Sequence, residues 1–492
     1  MPARLVSVAA TIRRLCSRPD GRKKKGRATV RDTPETTIRE LVAELERRFP
    51  YAAAHLRRSS GTRIEDSGSE QHATQQHPTQ GIVFTIYDGT TFRDYATSEL
   101  APDPLARAVR QWAAGLRPHP GGAPVIGGGY ATIAGRDPRI FHTAPRLAPE
   151  RIPLAEKLAH IRSIQRRAKD LDPRAVQVTA AYGDGIVSSL YIGRGRHLEQ
   201  HLTRTTLALM VVVAEGQQVR THMLTRGGTT GYEVAEITDD EITSTVETAL
   251  RLLNAEHIEP ATYDVITDPS ISGVIAHESF GHGVELDLFP KHRARAAGYL
   301  QQRVAAPGVD LFDDPSRAGA YGSYFFDDEG ELARPTHILR DGVFVSPISD
   351  FASATLAPGP HTPNGRRQDF TRKVYARMSN TFFAPGALTP EELIAGVERG
   401  IYLRSAESGM EDPLGWGVQV TAHYGEEIIN GRLTGRLFAP IGITGYVPDL
   451  LRSITAVGSD FELTPGVCGK GTKEMVPVST GGPHMRMRAR LG

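Results

Sequence analysis

Between residues 176 and 224 the chain runs as four apolar or alternating segments, 176–181, 185–192, 201–214 and 219–224, parted by glycines and charged residues. Segments of that length and alternation form strands, and the short breaks between them make neighbours antiparallel. This part of the chain reads as an antiparallel meander that needs helices to cover it. Three are legible. Asp32 or Thr33 caps and Pro34 opens a helix carrying Ile38, Leu41, Val42, Leu45 and Phe49 at helical spacing. Leu154, Leu158 and Ile161 mark a second, and a third is capped around Thr238 to Asp240 with Ile242, Val246, Ala249, Leu250 and Leu253 on one stripe. Residues 81–96 predict a hairpin about Asp88-Gly89. The polar stretch 57–80 reads as a loop or irregular edge, and a glycine-rich loop follows at 121–129.

The pattern restarts beyond 255–262 with a strand at 263–267, then Asp268-Pro269-Ser270 and an apolar run at 271–276 that Pro269 and Ser270 can open as a helix. Strand-like runs with turns at Asp341-Gly342 and Asn430-Gly431 follow, interrupted by a helix that Thr389 caps and Pro390 starts. A chain of 492 residues exceeds what one core usually supports, and its 50 glycines and 33 prolines imply many turns between short strands. The expected fold class is α+β in two domains. The expected layout is a disordered basic tail at 1–30, an N-terminal α+β domain with antiparallel strands at 31–258, and a β-rich C-terminal domain at 259–492 carrying the apolar helix that leads into His277.

The string His277-Glu278-Ser279-Phe280-Gly281-His282 follows the apolar run directly, so two nitrogen ligands bracket a carboxylate at the end of a buried helix. Zinc takes neutral nitrogens and in catalytic sites keeps one position open for water. The histidines stand at i and i+5, about 140° apart on a regular helix. Either a π-bulge eased by Gly281 brings them together, or the helix ends early and His282 reaches in from a loop; the bulge is the expectation. On these six residues alone, a histidine that merely caps or packs stands level with a ligand. A third ligand is available in Cys468, within Pro465-Gly-Val-Cys-Gly-Lys-Gly471, where a thiolate flanked by glycines in a turn can approach a metal; the alternative is an ordinary buried cysteine. Glu278, next to a ligand, is placed as the base that assists attack of metal-bound water and returns the proton to the leaving amine.

The segment His277-Glu-Ser-Phe-Gly-His-Gly-Val-Glu-Leu-Asp287 and the Cys468-Gly-Lys turn resemble the modulator-of-gyrase family of TldD-type peptidases. Asp327-Asp-Glu-Gly330, Asn364-Gly-Arg-Arg367, Arg377-Met-Ser-Asn-Thr381, Gly400-Ile-Tyr402 and Val476-Pro-Val478 fall in that family's order, so the resemblance covers nearly all of 256–492. It extends more loosely through 81–96, 176–226 and the glycine-rich run 227–232. It implies a metallopeptidase with one Zn²⁺ per chain on His277, His282 and Cys468. It also implies a substrate of short or unfolded peptides bound as an added strand. The chain keeps the metal motif, so the resemblance is to the catalytic TldD-like member, acting as a homodimer or with a metal-less TldE/PmbA-like paralogue. Two other readings stay open: a Cys468 nucleophile activated by a neighbouring histidine, and a structural zinc in a non-catalytic partner subunit.

Glu285 and Asp287 are candidates to orient a ligand imidazole, and Arg366 and Arg367 to hold a substrate carboxylate or oxyanion, although ion pairs explain arginines more often. His337, His361, His423 and His484 have no partner at ligand spacing and stay outside the expected site. A formal net charge of +2 argues against nucleic acid or an anionic membrane surface as the main partner, and no aromatics interleave the basic cluster at 22–27. No apolar run approaches membrane-spanning length, no cleavage site follows the basic opening segment, and two distant cysteines, Cys16 and Cys468, make no disulfide framework. The expected location is cytoplasmic.

Overall fold

Thr33 accepts the amide of Thr36 and Pro34 sits at the first helical position, starting α1 (Pro34–Glu46), whose Ile38, Leu41, Val42 and Leu45 are buried. The structure, a computed structural model, describes residues 33–120, 139–357, 359–471 and 474–492. The expected basic tail and the 121–129 loop lie outside the described residues.

After α1 come β1 (Tyr51–Asp66), β2 (Gln71–Tyr87), β3 (Phe92–Thr97), α2 (Pro102–Ala114), β4 (Arg139–His142), α3 (Leu154–Lys169), β5 (Ala175–Gly193), β6 (Arg196–Glu215), β7 (Gln218–Gly228) and α4 (Asp239–Arg251). Their strands form one sheet in the order β3-β2-β1-β5-β6-β4, with β7 also on β6. Residues 57–80, expected as a loop or an irregular edge, are the outer arms of β1 and β2 about a turn at 67–70, with an irregular register near Ser59 and Gly61. The pairing of these two strands runs from Tyr51 opposite Tyr87 to Asp66 opposite Gln71. Backbone pairing on both sides of β1, with β2 and β5, holds these arms in register, so their side chains can stay polar. Segments 176–181 and 185–192 likewise merge into β5. Its Gly183-Asp184-Gly185 break is no turn: Asp184 accepts the Thr62 amide at 2.9 Å and pairs with Lys157 at 2.6 Å. Thr238 and Glu241 close a capping box on α4.

The remaining elements are β8 (Ala261–Thr267), α5 (Pro269–Phe280), β9 (Leu311–Asp313), β10 (Thr336–Arg340), β11 (Val343–Phe344), α6 (Phe351–Leu356), β12 (Gly365–Arg366), β13 (Tyr375–Ala376), β14 (Asn380–Phe383), α7 (Pro390–Ala395), β15 (Arg399–Asp412), β16 (Gly417–Ile429), β17 (Arg432–Phe438), β18 (Ile441–Tyr446), α8 (Val447–Arg452), β19 (Ala456–Val457), β20 (Glu462–Lys470), β21 (Glu474–Gly482) and β22 (Met485–Leu491). Strands β8, β15, β16, β18 and β22 pair around a closed, barrel-like ring. A second sheet runs β11-β10-β9-β14-β21-β20 and leaves β20 at its edge. Asp341-Gly342 and Asn430-Gly431 make their turns with positive φ at both residues, as the tight hairpins they close require.

Helix α5 runs between the ring and the second sheet, touching β14, β15, β16, β20 and β21. Its apolar residues Ile271, Ile275, Ala276 and Phe280 join the largest core with Val265, Met378, Trp416 and Val476. A helix enclosed on all sides has to be apolar all round, which explains the uninterrupted run that precedes His277. The chain is a mixed α and β protein with extensive sheet. Among the described residues no helix is long and apolar enough to cross a membrane.

Candidate metal centre

The Asp268 carboxylate starts α5 by accepting the Ile271 amide at 2.9 Å, and its other oxygen accepts the Ser405 amide at 2.7 Å, tying the helix start to β15. At Gly273 the helix backbone meets β21 so closely that a Cβ would fall 2.2 Å from the Gly481 nitrogen. Only glycine permits that approach, and it sets the last turn of α5 beside the β20–β21 pair. His277 lies buried in that turn.

The helix then stops. The Gly281 amide still donates to the His277 carbonyl at 3.0 Å, and residues His282–Val284 form a 3₁₀ turn. The expected π-bulge is therefore corrected. The chain keeps its ordinary i→i−4 bond, ends the helix, and tightens into a turn that swings the second histidine back toward the first. The two rings stand 5.2 Å apart, centroid to centroid, at 88°.

Cys468 also differs from expectation. It sits within strand β20, opposite Val476 of β21, and not in a turn; the glycines beside it are paired strand residues. Its buried Sγ lies 3.3 Å from His282 Nε2. One nitrogen from each histidine and the Cys468 sulfur all lie within 4.8 Å of one another. His277 Nδ1 is buried without a hydrogen-bond partner among the described residues, and a buried polar atom of that kind calls for a partner. Two imidazoles and a thiolate gathered by a helix end, a turn and a strand fit a tetrahedral zinc with one position left open.

The charges around these atoms favour the ionised sulfur. Burial alone would raise the Cys468 thiol, but the His282 charge and hydrogen bonds from both histidines hold it well below its ordinary range. Burial would lower His282, yet Cys468 and Glu285 hold it well above. Each of these two shifts is caused largely by the other group, a thiolate and an imidazolium sharing one buried place. Glu285, with an oxygen 3.5 Å from His282 Nδ1, is kept at about 2 against the effect of burial by Lys470 and His282. Lys470 bridges Glu285 at 2.9 Å and Asp287 at 2.7 Å, so Asp287 reaches the site only through it. Arg377, fully buried, donates to the Cys468 carbonyl at 2.7 Å and to its Sγ at 3.3 Å.

Glu278 is half-buried beside Gly409 of β15, where an added Cβ would sit 2.6 Å from its Cγ. Two residues on, Glu411 tucks its carboxyl under Gly283; both its oxygens are buried without partners among the described residues. Burial holds Glu411 well above the carboxylate range, with Glu278 and Glu285 pushing the same way and His282 opposing. Nothing in the spacing of Gly409-Met-Glu-Asp412 marks it. Arg377 and Lys470 were visible only as members of recurring motifs. Arg366 and Arg367 stand apart from the three donors. Arg366 donates to the carbonyls of Met378 and Pro477, and the Arg367 amide donates to Asp328; with Arg57 and Arg204 the two arginine side chains line a separate small cavity.

Residues 260–490 match the PmbA/TldA metallopeptidase C-terminal domain, and 147–255 the central domain of the same peptidases. A metalloprotease of Methanothermobacter thermautotrophicus is 34% identical over 344 residues, covering 69% of this chain and 74% of the relative. A zinc metalloprotease TldD homolog of Saccharolobus solfataricus is 25% identical, covering 68% and 75%. Among solved structures, a putative modulator of DNA gyrase from Thermotoga maritima superposes with a TM-score of 0.72 at 17% identity, covering 94% of this chain and all of its own. TldE from Thermococcus kodakarensis gives 0.69 at 16%, covering 93% and 100%.

Proposed function

This chain belongs to the PmbA/TldD family of metallopeptidases, and we propose that it hydrolyses short or unfolded peptides with one zinc ion on His277, His282 and Cys468 and with Glu278 as the base. The observation that carries this reading is the convergence of three donor atoms within 4.8 Å, drawn from residues 191 positions apart at the extremes (468 − 277), beside a half-buried carboxylate. A zinc bound there supplies Lewis acidity for a substrate carbonyl and acidifies water at neutral pH. Glu278 takes the proton of the attacking water and returns it to the leaving nitrogen, a shuttle suited to a carboxylate that is half-buried and makes no salt bridge among the described residues. Glu285 faces the His282 ring with an oxygen 3.5 Å from Nδ1, and Arg377 donates a hydrogen bond to the sulfur. Strand β20 ends its sheet, so an extended peptide can pair with its free edge next to Cys468; backbone pairing of that kind asks little of the substrate's side chains.

The relative named as a zinc enzyme supports the choice of metal, and the likeness to TldE supports pairing with a second, TldE-like subunit or with another copy of this chain. With no disulfide framework in the sequence, we place the protein in the cytoplasm. The 3.3 Å Cys468–His282 contact also favours a second reading, in which Cys468 attacks the carbonyl itself and Glu278 has no task. Elemental analysis of wild type, His277→Ala and Cys468→Ala alongside cleavage of an unstructured peptide pool separates the two. The zinc reading predicts that each variant holds about one zinc per chain fewer than wild type and loses activity with it. Thiol alkylation that abolishes activity in a chelator-treated but still active enzyme supports the nucleophile instead.

A further inference from the structure

His222 of β7 and His423 of β16, which share no sequence spacing, meet with ring centroids 5.5 Å apart at 82°, nearly the arrangement of His277 and His282. His222 Nδ1 and His423 Nε2 are buried and have no hydrogen-bond partner among the described residues, and His222 is only 9% exposed. A buried polar atom left without a partner is costly, so two in one place point to something that satisfies both.

Both rings line a cavity of about 460 Å³ between β7, α4, the start of α5 and β20. Asp240, Glu241, Asp268 and Glu462 line it as well, and no lysine or arginine does. Asp268 is committed to capping α5, and Glu241 to capping α4 and pairing with Arg226. Glu462, exposed at the start of β20, makes no ion pair among the described residues; partial burial and the neighbouring Asp268 and Asp460 hold its carboxyl above the ordinary range, with His484 opposing. Burial holds both histidines below their usual range, helped at His222 by the charges of His423 and Arg404 and opposed at His423 by Glu407 and a hydrogen bond to the Thr221 backbone, which favours neutral rings. Imidazole nitrogens flanked by carboxylates suit a borderline divalent cation; a hard ion such as Mg²⁺ prefers oxygen alone.

We propose that His222 and His423 form a second metal site for a borderline divalent cation of the Zn²⁺ class, with water completing the shell. Such an ion joins the N-terminal sheet to the barrel-like ring. It is independent of the Cys468 centre and differs from it chemically, having no thiolate.

The test uses the full chain carrying Cys468→Ala, saturated with Zn²⁺ or Co²⁺ and then dialysed. It should keep about one ion per chain, and its Co²⁺ spectrum should lack a thiolate charge-transfer band. Adding His222→Gln and His423→Gln should abolish that ion. Should the triple variant fold poorly, Cys468→Ala with His423→Gln alone should lose the rise in thermal midpoint that Zn²⁺ gives the parent. Equal metal content with and without the two histidines, or no ion retained by the Cys468→Ala chain, overturns the second site.

Discussion

One guanidinium nitrogen of Arg377 donates both to the carbonyl of Cys468, at 2.7 Å, and to its Sγ, at 3.3 Å. A fixed positive charge thus stabilises the thiolate and pins the strand that carries it. Lysine keeps the charge but lacks the planar fork that also reaches the Glu474 carbonyl at 3.2 Å. Arg377→Lys should therefore fold and bind zinc about 10- to 100-fold more weakly, as loss of such supporting contacts commonly does. Competition with a chromogenic chelator measures this; unchanged affinity would show that Arg377 only holds the strand.

Asp313 organises the ground beneath the site. Its two oxygens accept from Asn364 Nδ2, the Ser379 amide and hydroxyl, and Thr381 Oγ1, at 2.6 to 2.9 Å. Asp313→Ala removes the acceptor of the Ser379 amide and hydroxyl and of Thr381 Oγ1, with Asn364 Nδ2 keeping the Arg377 carbonyl, and should destabilise the chain by at least about 3 kcal/mol. A fall in the urea midpoint, with little change in slope, is the expected reading.

Gly409 leaves room for the Glu278 side chain, since a Cβ there lies 2.6 Å from Glu278 Cγ and 2.4 Å from Val274 Cγ1. Gly409→Ala should displace the base without touching a metal donor. Turnover should fall about 100-fold, the usual result of shifting a catalytic group by roughly 1 Å, while zinc content stays as in wild type. Loss of zinc along with turnover would mean that the substitution disturbs α5 as a whole.

His55 is fully buried, and burial lowers it to about 4 although Asp328 opposes. The folded value lies below the unfolded 6.5, so the unfolded chain binds the extra proton between the two. The stability this neutral ring contributes is complete above pH about 6.5 and is lost as pH falls toward 4. Relative to His55→Phe, wild type should lose roughly 3 kcal/mol over that window and nothing above it, as read by urea unfolding at a series of pH values.

How much of this was legible in the residues varied with the kind of information each site needed. Helix α5 was, because Asp268-Pro269 and the apolar run specify a buried, capped helix locally. The pairing of His277 and His282 was legible but not its mechanism, since whether a helix bulges or ends depends on what its last turn packs against. The polar arms of β1 and β2 read as loop or edge because their order comes from backbone pairing with each other and, for β1, with the distant β5, and not from an apolar pattern. Cys468 read as a turn for a similar reason: Gly-Val-Cys-Gly-Lys-Gly has weak strand propensity, and pairing with β21 overrides it. The His222–His423 pair, the Asp313 hub and Glu411 arise wholly from tertiary contact, and no spacing along the chain announces them.

The most direct measurement is zinc content and peptide turnover of Glu278→Gln beside wild type. Glutamine keeps the shape of the side chain, touches none of the three donors and cannot accept a proton. Unchanged zinc with turnover lost by at least about 100-fold is the predicted result. Turnover retained at the wild-type rate would contradict the assignment of Glu278 as the base and leave Cys468 as the nucleophile to examine.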